Sequence, residues 1–427
     1  MRRVAVWLGC GVAVLAPARA QGSPVPSTMA TTETTTAATT AATTDATTDA
    51  TAAVTTPATT STAATTSPAA ASTSSTTVTL EGGAEADTNV QRVETGSGLE
   101  TMRRAGPVGR LGARIDHRGP AVGGGFALVG SALARLVSNA EASPENVALL
   151  TGDLRWLRAL GKRPVSAGFG LTFAEALPMI DRIGARTFRN LGADALLVLR
   201  GTDQRALTFA VGPRRFEYKP DHAFDWSGLA LNARLDLTLW EPADDTRSLE
   251  LAAILGFEAR AYESTARASA CPDDAPPSPT CFAPTSMDRH DRYQRAGLEL
   301  TWVGAAVATA GYSLTVVDSN SYGLSLVRHR ATLSVTTELP GKLIGTALAT
   351  LQLDQYLDGL VVEKDLQHQE FTNLDDANRS SLQLRLARKL TPTWSIEGRA
   401  AIWRDLGGAG DTEFRRELVY VGAVFNR

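Results

Sequence analysis

The chain has 427 residues, with 42 Lys and Arg against 45 Asp and Glu, for a formal net charge of −3. That balance supplies no basic field for a nucleic acid. A mean hydropathy of −0.08 excludes a bundle of membrane helices, since each span needs roughly 20 consecutive apolar residues. The longest apolar candidate, residues 121–137, is Gly-rich, contains Arg135 and reads as a strand pair.

The chain opens on an export signal. Arg2 and Arg3 precede an apolar stretch over residues 4–15, and Ala18-Arg19-Ala20 forms a small-x-small cleavage site. Residues 1–20 therefore read as a signal peptide. Leu8-Gly9-Cys10 offers a competing lipoprotein reading, disfavoured by the short apolar run before it and by Trp7. Residues 21–76 form an Ala/Thr tract with almost no large apolar side chain. Such a segment buries too little surface to offset the entropy of ordering, so it reads as a disordered linker, placed in the periplasm.

From residue 77 the pattern changes to period 2, the spacing of side chains on a pleated strand. Leu229, Leu231, Ala233, Leu235, Leu237 and Leu239 share one face, against Asn232, Arg234, Asp236 and Thr238 on the other. The next segment sets Leu249, Leu251, Ala253, Leu255, Phe257 and Ala259 against Glu250, Glu258 and Arg260. Leu351 and Leu353 oppose Gln352 and Asp354, and Leu382, Leu384 and Leu386 oppose Gln383, Arg385 and Lys389. The segments run about 12–16 residues, where a globular strand has roughly 5–6.

Connection lengths separate the possible β-folds. Tight connections fall at residues 117–120, 160–162, 202–205, 241–246, around Gly304, at 339–341 and at Thr391-Pro392. Between them lie longer ones, including 90–106, 177–192, 264–291 and 357–378. Long and short connections in alternation are the mark of a transmembrane barrel, with short periplasmic turns and long external loops. A soluble sheet has no reason to sort its loops by parity. Residues 77–427 therefore read as an all-β, antiparallel transmembrane barrel of about 16 strands (14–18) in the bacterial outer membrane. Cys271 and Cys281 bracket PDDAPPSPT in one long connection and read as a disulfide in an exported chain. No metal site or cofactor is expected.

Two stretches carry a resemblance beyond periodicity. The opening TVTLEGGAEADTNV resembles the first strand of porin-like outer-membrane barrels, and the closing EFRRELVYVGAVFNR resembles their C-terminal assembly signal. Tyr420, Gly422 and Phe425 carry that signal, although Asn426 and Arg427 follow the aromatic residue on which it usually ends. The resemblance implies a pore as the function, with the barrel-assembly machinery, outer-membrane lipid and lipopolysaccharide as partners. The periplasmic extension before a single barrel is similar to porins that accompany polysaccharide export. That likeness implies a polysaccharide conduit with a periplasmic export protein as partner.

Charges cost roughly 2–4 kcal/mol for each Arg or Lys at the lipid midplane, so the charged faces are assigned to a lumen. Predicted lining residues are Arg234, Asp236, Glu250, Glu258, Arg260, Arg295 and Glu299, then Arg328, Arg330, Asp354, Arg385, Lys389, Glu397 and Arg399. Both signs occur, so strong ion selectivity is not expected. The alternative is an internal salt-bridge network that leaves the barrel closed. Trp226, Trp240, Trp302, Trp394, Trp403 and Tyr262 fall near strand ends and read as interfacial girdles. Two other functions stay open: a general diffusion porin for small hydrophilic solutes, and a barrel anchor displaying external loops for adhesion. No GxSxG or HExxH motif supports an enzyme.

Overall fold

The computed structural model describes residues 74–91, 95–96, 104–180, 187–201, 205–242, 246–271, 281–357, 379–404 and 412–427. The signal peptide, Cys10, His368 and the Ala/Thr tract up to residue 73 lie outside the described residues.

Sixteen antiparallel strands close into one barrel, each paired with its chain neighbour. They are β1 (Ser75–Asp87), β2 (Gly106–Ala121), β3 (Gly124–Val137), β4 (Val147–Ala159), β5 (Val165–Pro178) and β6 (Phe188–Arg200). Next come β7 (Arg205–Tyr218), β8 (Trp226–Trp240), β9 (Ser248–Ser269), β10 (Phe282–Val303) and β11 (Ala306–Ser319). The last are β12 (Leu326–Leu339), β13 (Leu343–Tyr356), β14 (Ser380–Lys389), β15 (Trp394–Arg404) and β16 (Arg415–Asn426). Closure comes from β1 against β16, in register from Thr79 opposite Asn426 to Asp87 opposite Leu418. A closed barrel leaves no edge strand, so every ladder amide within it can find a partner without water. Outside the barrel, a two-residue ladder pairs Thr95–Gly96 with Thr412–Glu413.

Three details differ from the sequence expectation. The first tight turn lies at Val122 and Gly123, both at positive φ (34° and 71°), and residues 117–120 belong to β2. Gly119-Pro120 reads as a turn, yet the β1–β2 register ends at Ser75 opposite Arg118. Pro120 therefore sits past the end of β1, where its missing N–H costs no ladder bond. Residues 121–137 accordingly supply the end of β2, the turn and one strand, not a strand pair. The third difference is in residues 264–291, most of which continue β9 and β10. Each of these strands has 22 residues, against 15 in β8 and 14 in β11.

Beyond Tyr262, the last β9 residue paired with β8, β9 and β10 pair only with each other. Seven further residues of β9, at about 3.4 Å each, project on the order of 24 Å past its neighbour. Cys271 and Cys281 are disulfide-bonded at the tip, with Cα atoms 5.0 Å apart.

One mid-strand proline needs a local device. The β6–β7 register skips Ala193–Asp194 against Gly212–Pro213, as expected where Pro213 has no N–H to give. Arg214 fills the gap: its Nη1 donates to the Ala193 carbonyl at 3.2 Å and to Pro213 O at 3.0 Å, while Nη2 holds Asp194 at 2.7 Å. A Cβ at Gly212 would lie 1.7 Å from the Ala193 oxygen, so only glycine permits this approach.

Candidate functional site

Parity along each strand divides the barrel into two faces. On one face large apolar residues are exposed: Leu255 is 62% accessible and Val421 66%. Their neighbours on the other face are shielded, with Glu258 at 8% and Tyr420 at 1%. An apolar face this extensive, exposed all round a closed barrel, matches lipid as its solvent. At the short-turn end this face carries aromatic pairs, two stacked and one tilted. Trp156 lies 5.8 Å from Phe169, Trp240 5.7 Å from Trp302 and Trp394 5.2 Å from Phe425. Such rings suit the interface at a membrane boundary. At the long-loop end the same face turns ionic: Glu175 accepts from Arg189 at 2.7 Å and Lys219 at 3.3 Å, and Arg215 reaches Glu263 at 3.1 Å. Among the described residues no helix is long and apolar enough to cross a membrane.

The opposite face is the lumen wall. A concave wall makes its side chains converge, so pairs can bridge over a whole strand. Arg135 of β3 reaches Glu85 of β1 at 2.8 Å, Arg234 of β8 reaches Glu299 of β10 at 3.3 Å, and Arg399 of β15 reaches Glu81 of β1 at 3.1 Å. The first of these explains the arginine inside an otherwise apolar run: Arg135 also holds Asp87 at 3.1 Å.

The predicted lining residues all fall on this face by parity, in three groups and two isolated positions. At the closure seam Glu397 is enclosed by Arg385, at 2.6 Å, and by Arg399. On β8–β10, Arg234 also holds Asp236 at 2.7 Å, and Arg260 holds Glu258 at 2.7 Å. The third group is Arg295, Arg328, Arg330 and Asp354 on β10, β12 and β13, where Arg328 binds Asp354 through two bonds of 2.6 and 2.8 Å. Glu250 accepts from Ser248 at 3.2 Å, and Lys389 lies exposed at the short-turn end.

The aromatic residues split by end. Trp240, Trp302 and Trp394 form the girdle, whereas Trp226, Tyr262 and Trp403 are buried inside the long-loop end. Phe188, Phe216 and Trp226 stack in a row with centroids 5.9 Å apart. Arg260 then lies between Trp226 and Tyr293, at 4.2 and 4.0 Å from their rings. The row crosses β6–β10 and makes that arc of the wall apolar and stiff. Strand-end position alone could not tell girdle from lumen; the parity of each residue relative to the leucines does.

Tyr420 faces inward at the seam, buried against Gly83 and Gly422. A Cβ on Gly422 would fall within reach of the Tyr420 hydroxyl, and one on Gly83 would meet the ring 2.6 Å away and the Val421 carbonyl at 2.4 Å. Arg110 and Arg399 flank the ring at 5.8 and 5.1 Å. Tyr420 and Gly422 thus build the joint between first and last strands.

Several lumen residues escape the sequence reading. Glu81, Glu85, Asp87, Arg110, Arg214, Asp194 and Arg416 lie on strands whose outer faces lack the near-continuous leucine run of β8, being interrupted by residues such as Gly82, Gly109, Ala193, Pro213 and Glu417, which weakens the alternation. Among the described residues the histidines show no catalytic grouping: His222 Nδ1 bonds Asp225 at 2.8 Å, but Asp225 also accepts the Tyr218 amide and closes a turn. Their hydrogen bond holds the exposed His222 pKa above its ordinary value. His117 bonds Thr76, and His329 bonds Tyr312 on the outer face. Among the described residues no group of His, Cys, Asp and Glu could hold a metal ion.

No protein-family model matches the chain, and no curated protein matches it either. Solved structures similar to it are outer-membrane proteins. A loop L8 deletion mutant of OmpT from Vibrio cholerae is 11% identical, with 83% of this chain and 99% of that one covered at a TM-score of 0.41. OccAB1 of Acinetobacter baumannii is 9% identical, covering 84% and 99% at 0.41. OprB of Pseudomonas putida, in a high-pH structure, is 10% identical, covering 83% and 94% at 0.43. Similarity this low leaves the argument on the molecule's own geometry. By that geometry, a closed ring of sixteen antiparallel strands with an apolar outside and a charged inside, the chain has the porin-like fold of an outer-membrane β-barrel.

Proposed function

We propose that this barrel is an aqueous pore across the outer membrane for hydrophilic solutes. The observation that carries the reading is the inner wall: strand after strand places ionic and hydroxyl groups there while the outer face stays apolar. Sixteen strands is also the size at which barrels leave a channel instead of filling their interior with side chains. Ion pairs line the wall without merging into one block. Asp153 with Arg155 and Asp236 with Arg234 remain partly accessible. The narrower reading, a polysaccharide conduit fed by a periplasmic export protein, has no observation of its own behind it.

Planar-bilayer recording from the full-length protein tests the pore. Steady single-channel steps are expected; silent bilayers from correctly folded protein would leave a closed barrel. A display role is the second reading, favoured by the disulfide-stapled β9–β10 hairpin, which extends past β8 and is tied to the β11–β12 connection through Arg267 and His290. Deleting the hairpin tip separates the two, since conductance survives if the pore is the function.

A further inference from the structure

Most lumen arginines meet an acid, but on one stretch of wall three arginines gather around one bonded acid, Asp354. In the β10–β12 register Arg295 stands opposite Thr315, which stands opposite Arg328; one step toward the short-turn end, Ser313 stands opposite Arg330. Strands about 4.8 Å apart and same-face residues about 6.8 Å apart place these three arginines within about 12 Å of one another.

The acids nearby are already engaged. Asp354 is held by Nε and Nη2 of Arg328 and by Gln352 at 3.4 Å. Glu299, four residues along the strand from Arg295, is bound by Arg234 at 3.3 Å. Arg330 has neither: its Nε is buried and donates to no protein atom, and the charges acting on it are those of Arg295 and Arg328. A shielded cation beside two like charges is unfavourable until an anion joins it. Guanidinium forks match the two-oxygen geometry of carboxylate and phosphate, and the hydroxyls of Ser313 and Thr315 are interleaved on the same face to donate to the same oxygens.

We propose that Arg295, Arg328 and Arg330, with Ser313 and Thr315, form a binding site for small oxyanions, carboxylate or phosphate, on the pore wall. The site rests on the pore reading for access by solute, while its chemistry stands without it. The paired acids elsewhere neutralise their own arginines, so this cluster biases the channel toward anions despite the mixed signs of the wall.

The test is calorimetric titration of the full-length protein in detergent with inorganic phosphate and, separately, succinate, at low ionic strength. The same preparation is recorded in bilayers. Saturable binding is expected, weakened about tenfold or more in Arg330→Ala, only partly restored by Arg330→Lys, and unchanged in Arg155→Ala on the far wall. The tighter of the two ligands identifies the oxyanion class. Resistance of the unheated barrel to SDS establishes that each variant is folded. Absence of saturable binding in protein that conducts would overturn the site and leave the pore. Binding that depends on Arg330 in protein that does not conduct would leave the site and overturn the pore. Equal binding by wild type and folded Arg330→Ala would also overturn the site.

Discussion

Two arcs of the same wall use arginine in opposite ways. At the seam, where β14–β16 meet β1–β2, each cation is set against an acid: Glu397 sits between Arg385 and Arg399, Glu81 between Arg110 and Arg399, and Asp87 between Arg135 and Arg416. On β10–β12 cations outnumber the acids free to meet them. A barrel's first and last strands must find each other across the whole chain, here Thr79 against Asn426. A dense network of opposed charges fixes that register by penalising any slip with unpaired buried charge. The β10–β12 strands are chain neighbours joined by local connections and need no such lock, so their charges are left for solutes. Identical side chains therefore serve assembly on one arc and binding on the other.

The largest way to break the contrast is at the seam. Glu397→Ala leaves Arg385 and Arg399 buried without their shared acid and is expected to cost about 3–5 kcal/mol, read as a lower urea midpoint for the barrel in lipid vesicles. Gly83→Val comes next. Its side chain would push against the Val421 carbonyl across the closing ladder, at a cost of about 3 kcal/mol and with slower appearance of the SDS-resistant folded form. If either variant unfolded like wild type, the seam network would not be what holds closure.

Arg330→Ala sharpens the contrast from the other side. Removing a cation that has no acid partner is expected to change stability by less than about 1 kcal/mol, while the reversal potential in a salt gradient moves toward cation preference. A seam-like loss of stability would place Arg330 in the structural network instead. The smallest effect concerns the 219–225 connection. Because Asp225 raises the His222 pKa, the stabilisation is fully present below the ordinary histidine value near 6.5 and is lost as pH rises through the higher folded value. Amide exchange in that connection should quicken over this window in wild type and show no such step in His222→Gln.

Much of this architecture is legible in the alternation of Leu229 to Leu239 with Asn232, Arg234 and Asp236, because strand periodicity is a local property of the chain. Turn parity extends it to strand number and closure. What escapes the sequence is set by distance. Nothing near Arg135 announces Glu85, and nothing near Tyr420 announces Gly83, because those contacts exist only once the sheet curves shut. The projecting hairpin escaped for a different reason. Residues 282–291 alternate as a strand should, but Pro284 and many polar side chains read as a loop, whereas strands beyond the membrane have no lipid to demand an apolar face. Pairing among the lumen charges is likewise a property of curvature. The sequence identifies their face and is silent on which of them remain unmatched.

The most direct test of a water-filled lumen compares three neighbours on β13: Thr350→Cys, Leu351→Cys and Gln352→Cys. Cys271 and Cys281 are bonded to each other and do not compete for reagent. A membrane-impermeant, charged thiol reagent applied during bilayer recording should reduce the current through the Thr350→Cys and Gln352→Cys channels and leave Leu351→Cys unaffected. Block of Leu351→Cys alone, or of none of the three in conducting barrels, would contradict a polar lumen as the conducting path.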